Sequence, residues 1–191
     1  MKILLASASP RRSQILKEAG FDFEILKIDV DESFPDSMPV PEIPVYLAKK
    51  KMEEAKKYLN AENLIITADT VVILGDEIIN KPLDADDAFQ MLEKLAGKTH
   101  TVISGVCIST IKEDFIFEDR TDVVFEEMSG EEIKFYIDNF KPFDKAGSYA
   151  IQEWIGLNKI ARIEGNYFNV VGFPMSLVYP ILRKLLAASS L

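Results

Sequence analysis

Ile3-Leu4-Leu5-Ala6-Ser7-Ala8-Ser9-Pro10-Arg11-Arg12 runs from an apolar segment through a small polar loop into a helix start. The apolar part, Ile3 to Ala6, is short enough for a buried strand. Ser9 suits the residue that caps a helix, and Pro10 suits its first position, where a missing N–H costs nothing. In Gln14-Ile15-Leu16-Lys17-Glu18-Ala19, residues Ile15, Leu16 and Ala19 share one helical face, and Gly20 suits the left-handed residue that closes the helix. Arg11 and Arg12 then lie in the first turn, where the helix dipole disfavours cations. Two arginines there make sense if an anion joins them. Free N–H groups, serine hydroxyls and two guanidinium forks together describe a phosphate pocket. The plainer reading is a pair of solvated arginines on a surface helix.

Around this stretch the chain has 191 residues, which suits one α/β domain, or one domain with a small lobe, with ample core. It is 48% hydrophobic, and no apolar run approaches the roughly 20 residues of a membrane span. Pro10, Arg11 and Arg12 cut the first apolar run too short for a signal peptide. One cysteine, Cys107, excludes an internal disulfide and is consistent with a reducing cytoplasm. One histidine and one cysteine exclude a closed zinc site. The net charge of −9 argues against nucleic acid as the main partner. A phosphorylated small molecule needs only a local basic funnel.

Further along, Phe21, Phe23 and Ile25 alternate with Asp22 and Glu24 as in a half-buried strand. An acidic stretch from Asp29 to Glu32 leads to Pro35, Pro39, Pro41 and Pro44, which read as a loop that is neither helix nor central strand. From Val45 an amphipathic helix is expected, carrying Ala48, Met52, Ala55 and Leu59 on one face. Lys50 points away from that face, whereas Lys51 lies at its edge, placed to lean into a cleft. Leu64 to Leu74 is apolar on both faces, as in a central strand, and Asp69 interrupts it. A carboxylate there is costly unless it is paired, hydrogen-bonded or at the mouth of a site.

Gly75-Asp76 predicts a hairpin turn into Glu77 to Ile79, followed by Asn80-Lys81-Pro82. Asp84 caps a helix with Ala88, Met91, Leu92 and Leu95 that stops at Gly97. Thr101 to Thr110 and Phe115 to Phe125 read as strands, and Ser129-Gly130-Glu131-Glu132 as a capping box before a helix. Asp144 to Gln152 reads as an ordered polar loop. Lys159 to Glu164 and Tyr167 to Val171 predict a hairpin about Gly165-Asn166, and a last helix starts near Pro174, with Pro180 kinking or splitting it. Hairpins interspersed among helices predict a mixed sheet in one α/β fold.

In their order these pieces resemble the Maf family of nucleoside triphosphate pyrophosphatases, also called septum formation inhibitors. The matching stretches are Ser7 to Arg12, the Glu32 region, Leu47-Ala48 with Lys51, Ala68 to Val72, Asn80-Lys81-Pro82, Thr99 to Val106, Asp144 to Gln152, and Gly165 to Pro174. Ser104 stands where threonine is expected and Asn166 where serine is expected. The resemblance implies hydrolysis of a nucleoside triphosphate to the monophosphate and pyrophosphate, with a divalent metal, Mg2+ or Mn2+. It also implies one domain over residues 1–191, an elongated mixed sheet like that of inosine triphosphate pyrophosphatases, and a homodimer in the cytoplasm. By the same resemblance Asp69 is the proton acceptor. Ser7, Arg12, Glu32, Lys51 and Lys81 ring the phosphates, and Arg11, Thr70 and Gln152 bear on nucleotide choice. The loop ending at Gln152 is similar to the branch acting on dTTP and UTP.

The residue chemistry agrees. Attack at the α-phosphorus needs an in-line water, charge neutralisation and a stabilised leaving group. Arg12, Lys51 and Lys81 offer positive charge, and Glu32 and Asp69 offer hard oxygen ligands. Asp69 suits a base or a metal ligand equally. Two other classes fit less well: a nucleotide-binding regulator of division, which has no use for these carboxylates, and a purine-directed house-cleaning hydrolase.

Overall fold

The computed structural model describes residues 1–188. Its strands are β1 (Lys2–Leu5), β2 (Phe23–Ile25), β3 (Asn63–Leu74), β4 (Glu77–Ile79), β5 (Thr99–Ser109), β6 (Asp114–Phe125) and β7 (Ile160–Glu164). Its helices are α1 (Pro10–Glu18), α2 (Ile43–Ala55), α3 (Ala85–Leu95), α4 (Gly130–Phe140), α5 (Trp154–Asn158), α6 (Tyr167–Val171) and α7 (Met175–Ala188). The seven strands form one mixed sheet in the order β2-β1-β3-β5-β6-β7, with β4 paired to β3. β1 is parallel to β2 and β3, whereas β3–β4 and β6–β7 are antiparallel.

Two compact units make up the chain. The first contains Met1–Asp69, Ser104–Asp119 and the segment from Gly172; the second contains Thr70–Ile103 and Arg120–Val171. β3, β5 and β6 run on from one unit into the other.

In the first unit, α2 lays Ala48, Met52 and Ala55 against Leu4 and Ala6, Ile65 of β3 and Cys107 of β5. Small residues at Ala48 and Ala55 bring the helix close to the sheet. The contact is closer still at Gly105, where a Cβ would stand 2.5 Å from the backbone of Pro44. Cys107 is buried there, and burial pushes its thiol up to about 11, so it packs as an inert apolar group.

Several expectations hold. Gly20 has φ +84° after α1, and Asp84 accepts the N–H of Asp87 at 2.9 Å. Ser129 and Glu132 complete a capping box. Others are corrected. The prolines after Glu32 are not confined to loop: Val40–Glu42 forms a 3-10 turn and α2 already starts at Ile43, with Pro44 in the first turn, where no N–H is required. Leu59 falls outside α2. β2 has three residues and its Ile25 is 47% exposed, because β2 is an edge strand.

The second half of the expected hairpin at Gly165-Asn166 is a helix, α6. Asn166 Oδ1 accepts the N–H of Phe168 at 2.9 Å, so the side chain read as a turn former starts a helix instead. The loop Asp144–Gln152 is not polar in its packing: Lys145 and residues 147–151 are buried. α7 continues through Pro180 without splitting. No helix among the described residues is long and apolar enough to cross a membrane.

Candidate active site

β1 ends at Leu5, and the N–H of Ala6 still bonds to the carbonyl of Ile66 on β3 at 2.8 Å. The loop Ser7–Ser9 therefore emerges beside the stretch of β3 that carries Asp69. Ligand sites of α/β sheets lie at such carboxyl ends of parallel strands. The capping at Ser9 is by backbone position only, with no side-chain bond; its N–H instead donates to Ser7 Oγ at 3.2 Å.

Arg12 is buried, which removes the reading of two solvated arginines. Its Nε donates to the carbonyl of Gly172 at 2.9 Å, and its Nη1 to Ser7 Oγ at 3.1 Å and to the carbonyl of Ala68 at 2.9 Å. The guanidinium thus fixes the Ser7 loop to the residue preceding Asp69. Burial pushes its pKa down, Arg11 pushes it further the same way, and Asp69 and Glu32 pull it back up. A buried guanidinium with carboxylates nearby remains charged.

Asp69 lies inside β3 and is 8% exposed. Its Oδ1 accepts from Lys51 Nζ at 2.6 Å, and the same ammonium pairs with Glu32 Oε1 at 2.8 Å. Lys51 reaches this point because α2 is pinned to β3: Thr67 Oγ1 donates to the carbonyl of Ala48, one helical turn before Lys51, at 2.7 Å. Lys50, one residue earlier, turns outward to Asp31 and the carbonyl of Ser33. The first unit therefore brings together Ser7, Arg12, Glu32, Lys51 and Asp69, with Arg11 close enough to Arg12 to repel it. Thr67, Gly105 and the carbonyl of Gly172 support the cluster, and none stood out in the sequence. A hydroxyl and a glycine within apolar strands were the available signals.

Thr70, Lys81 and Gln152 belong to the second unit. Thr70 follows Asp69 on β3. Lys81 and Gln152 are both exposed, and their segments are joined by the N–H of Gly147 donating to the carbonyl of Asn80 at 3.0 Å. The Gln152 loop is held firmly. Gly147 and Ser148 adopt φ +72° and +58°, Ala150 N–H donates to Tyr136 Oη at 3.1 Å, and Tyr136 Oη donates to Glu153. Lys145, 8% exposed, pairs with Asp144 at 2.8 Å and with Glu153 at 3.4 Å. Tyr149 Oη meets His100 Nε2 at 2.7 Å. Burial pushes His100 down to about 4 and the Tyr149 hydroxyl up, so both are neutral near pH 7. Gln152 itself is exposed beyond this anchored part.

Among the described residues no three His, Cys, Asp or Glu side chains gather as a metal-binding group. Glu32 and Asp69 do flank one point, the Lys51 ammonium. Two carboxylates suit a Mg2+-type ion, which takes one or two of them and completes its shell with water and phosphate oxygens. The donor set fits such an ion.

Comparison with known proteins places the chain among its relatives. A family profile described as Maf-like protein matches residues 2–185. The dTTP/UTP pyrophosphatase of Phocaeicola vulgatus is 47% identical over 96% of each chain. That of Flavobacterium psychrophilum is 49% identical over 93% of this chain and 91% of its own, and that of Bacteroides fragilis 43% identical over 96% of each. The solved structure of the Staphylococcus aureus Ham1 protein covers 66% of this chain and 73% of its own, with a TM-score of 0.49 at 17% identity. With a match over nearly its whole length, the chain belongs to the Maf family.

Proposed function

We propose that this protein hydrolyses dTTP and UTP to the nucleoside monophosphate and pyrophosphate, acting as one functional domain over residues 1–191. The observation that carries the reading is a buried carboxylate, Asp69, held at 2.6 Å by Lys51 and lying beside the immobilised guanidinium of Arg12. The relatives that share 43–49% of its residues are named for this activity.

Asp69 takes the proton of the attacking water as its oxygen bonds to the α-phosphorus and the bond to the β-phosphate oxygen breaks. A fixed guanidinium and a lysine ammonium oppose the charge that develops on the leaving pyrophosphate. Glu32 and Asp69 would hold the divalent ion, Mg2+ or Mn2+, which when bound neutralises phosphate charge. Lys81 adds a further positive charge toward the leaving group, and Ser7 a hydroxyl. Arg11, Thr70 and Gln152 bear on the choice of nucleotide. Thymine and uracil present a ring N–H between two carbonyls, and an amide offers both an acceptor and donors to that edge. We further assign the protein to the cytoplasm, as a homodimer that binds neither nucleic acid nor membrane.

The test is a panel of nucleotides in water labelled with heavy oxygen. UTP and dTTP should give pyrophosphate, with the label in the monophosphate. Release of orthophosphate and a diphosphate, or a clear preference for purine nucleotides, overturns the reading.

A further inference from the structure

The ammonium of Lys51 occupies the place of a cation. It lies 2.6 Å from Asp69 Oδ1 and 2.8 Å from Glu32 Oε1, on a side chain only 13% exposed. The two carboxylates best suited to a divalent ion are therefore already neutralised in part by the protein's own charge. A dication entering between them meets a like charge at contact distance, where repulsion is strong in a partly buried site.

The two neighbouring cations differ in mobility. Arg12 is held by hydrogen bonds to Ser7 Oγ and to the backbone carbonyls of Ala68 and Gly172. Among the described residues the Lys51 ammonium pairs with the two carboxylates, on a flexible four-carbon stem, and the bond from Thr67 to Ala48 holds its helix in place. Its head can move while the backbone stays still.

We propose that Lys51 is a resident counter-cation of the nucleotide-free protein. It occupies the point between Glu32 and Asp69, and yields it to a divalent ion when a triphosphate is there to receive the displaced ammonium. The carboxylate pair then balances the ion, and Lys51 joins Arg12 against the phosphates. Metal and nucleotide binding are thereby coupled, each strengthening the other. The role of the triphosphate as acceptor rests on the proposed function; the competition between Lys51 and the metal does not.

The experiment measures Mn2+ binding to the full-length protein by the loss of the free-ion electron paramagnetic resonance signal, with and without a UTP analogue carrying an α,β-imido bridge. Without nucleotide, Lys51→Met should bind Mn2+ about tenfold more tightly than wild type, as a lost like-charge contact requires. Lys51→Arg should remain as weak as wild type, and Glu32→Gln in the Lys51→Met background should abolish the gain. In wild type the analogue should tighten Mn2+ binding, and in Lys51→Met by a smaller factor. A folded Lys51→Met that binds Mn2+ no better than wild type overturns the proposal, as does a gain that survives Glu32→Gln. If wild type fails to hydrolyse UTP while Lys51→Met still gains Mn2+ affinity, the proposed function falls and the competition stands.

Discussion

His100 makes the stability of the second unit depend on pH. The ring is 1% exposed, its Nε2 engages the Tyr149 hydroxyl at 2.7 Å, and its Nδ1 has no partner among the described residues. Protonation puts an N–H on both ring nitrogens, so the cation is desolvated with one donor unmatched. Burial consequently lowers the folded pKa from 6.5 to about 4, against a smaller upward pull from Asp122. Between those values the unfolded chain binds the proton and the folded chain does not, so stability rises with pH across this window. The contribution is complete above about pH 6.5 and is lost as pH falls toward 4. A shift of this size corresponds to about 3 kcal/mol in total, of which about 2 kcal/mol is gone by pH 5.

The assay is urea unfolding at pH 7.5 and pH 5.0 of wild type and of His100→Gln, whose amide reaches the Nε2 position and does not titrate. Wild type should lose about 2 kcal/mol more than the variant between the two pH values. Equal losses in both proteins refute the argument.

Three further outcomes are expected. Asp69→Asn should stay folded and bind nucleotide while turnover falls by about 10²–10⁴, since the amide accepts no proton; single-turnover rates with UTP measure this, and near-normal turnover removes Asp69 from the chemistry. Gly105→Ala should destabilise the protein by about 1–3 kcal/mol and lower activity with it, because the new methyl meets the Pro44 backbone at 2.5 Å and α2, which carries Lys51, must shift; thermal unfolding compared with kcat decides, and an unchanged melting temperature contradicts the packing. Gln152→Glu should lower the ratio of kcat/KM for UTP over GTP by about 5- to 150-fold, a loss of about 1–3 kcal/mol for an unmatched polar group; an unchanged ratio in a folded variant means that Gln152 does not read the base.

Local chemistry was legible wherever a residue's meaning depends on its near neighbours. Ser129 with Glu132, Asp84, Gly20 and Gly97 mark helix ends through bonds and dihedrals that span a few residues. The apolar run Leu64 to Leu74 marks a central strand, and the carboxylate within it marks Asp69. Where two local patterns compete, sequence fails. Gly165-Asn166 suits a hairpin turn and also the start of a helix, and long-range bonds favour the helix: Asn169 on α6 donates to the carbonyl of Val102 and to Thr121 Oγ1, both at 3.0 Å. The loop 144–152 looked polar because its buried charge, Lys145, is satisfied by Asp144 and Glu153, a pairing visible only once the chain is folded.

By itself, then, the sequence determined the helix caps, the central strand with its single carboxylate, the two arginines at a helix start, and the order of stretches that marks the Maf family. Each is a property of residue type and short spacing. Only the tertiary structure decided what those groups touch. Arg12 serves Ser7, Ala68 and the carbonyl of Gly172, which is 160 residues away along the chain. Lys51 stands between Glu32 and Asp69 because a glycine on β5 and a threonine on β3 let α2 settle against the sheet. Such contacts arise from packing between distant segments. No periodicity records them, because the energy that fixes each side chain comes from partners that the sequence does not place beside it.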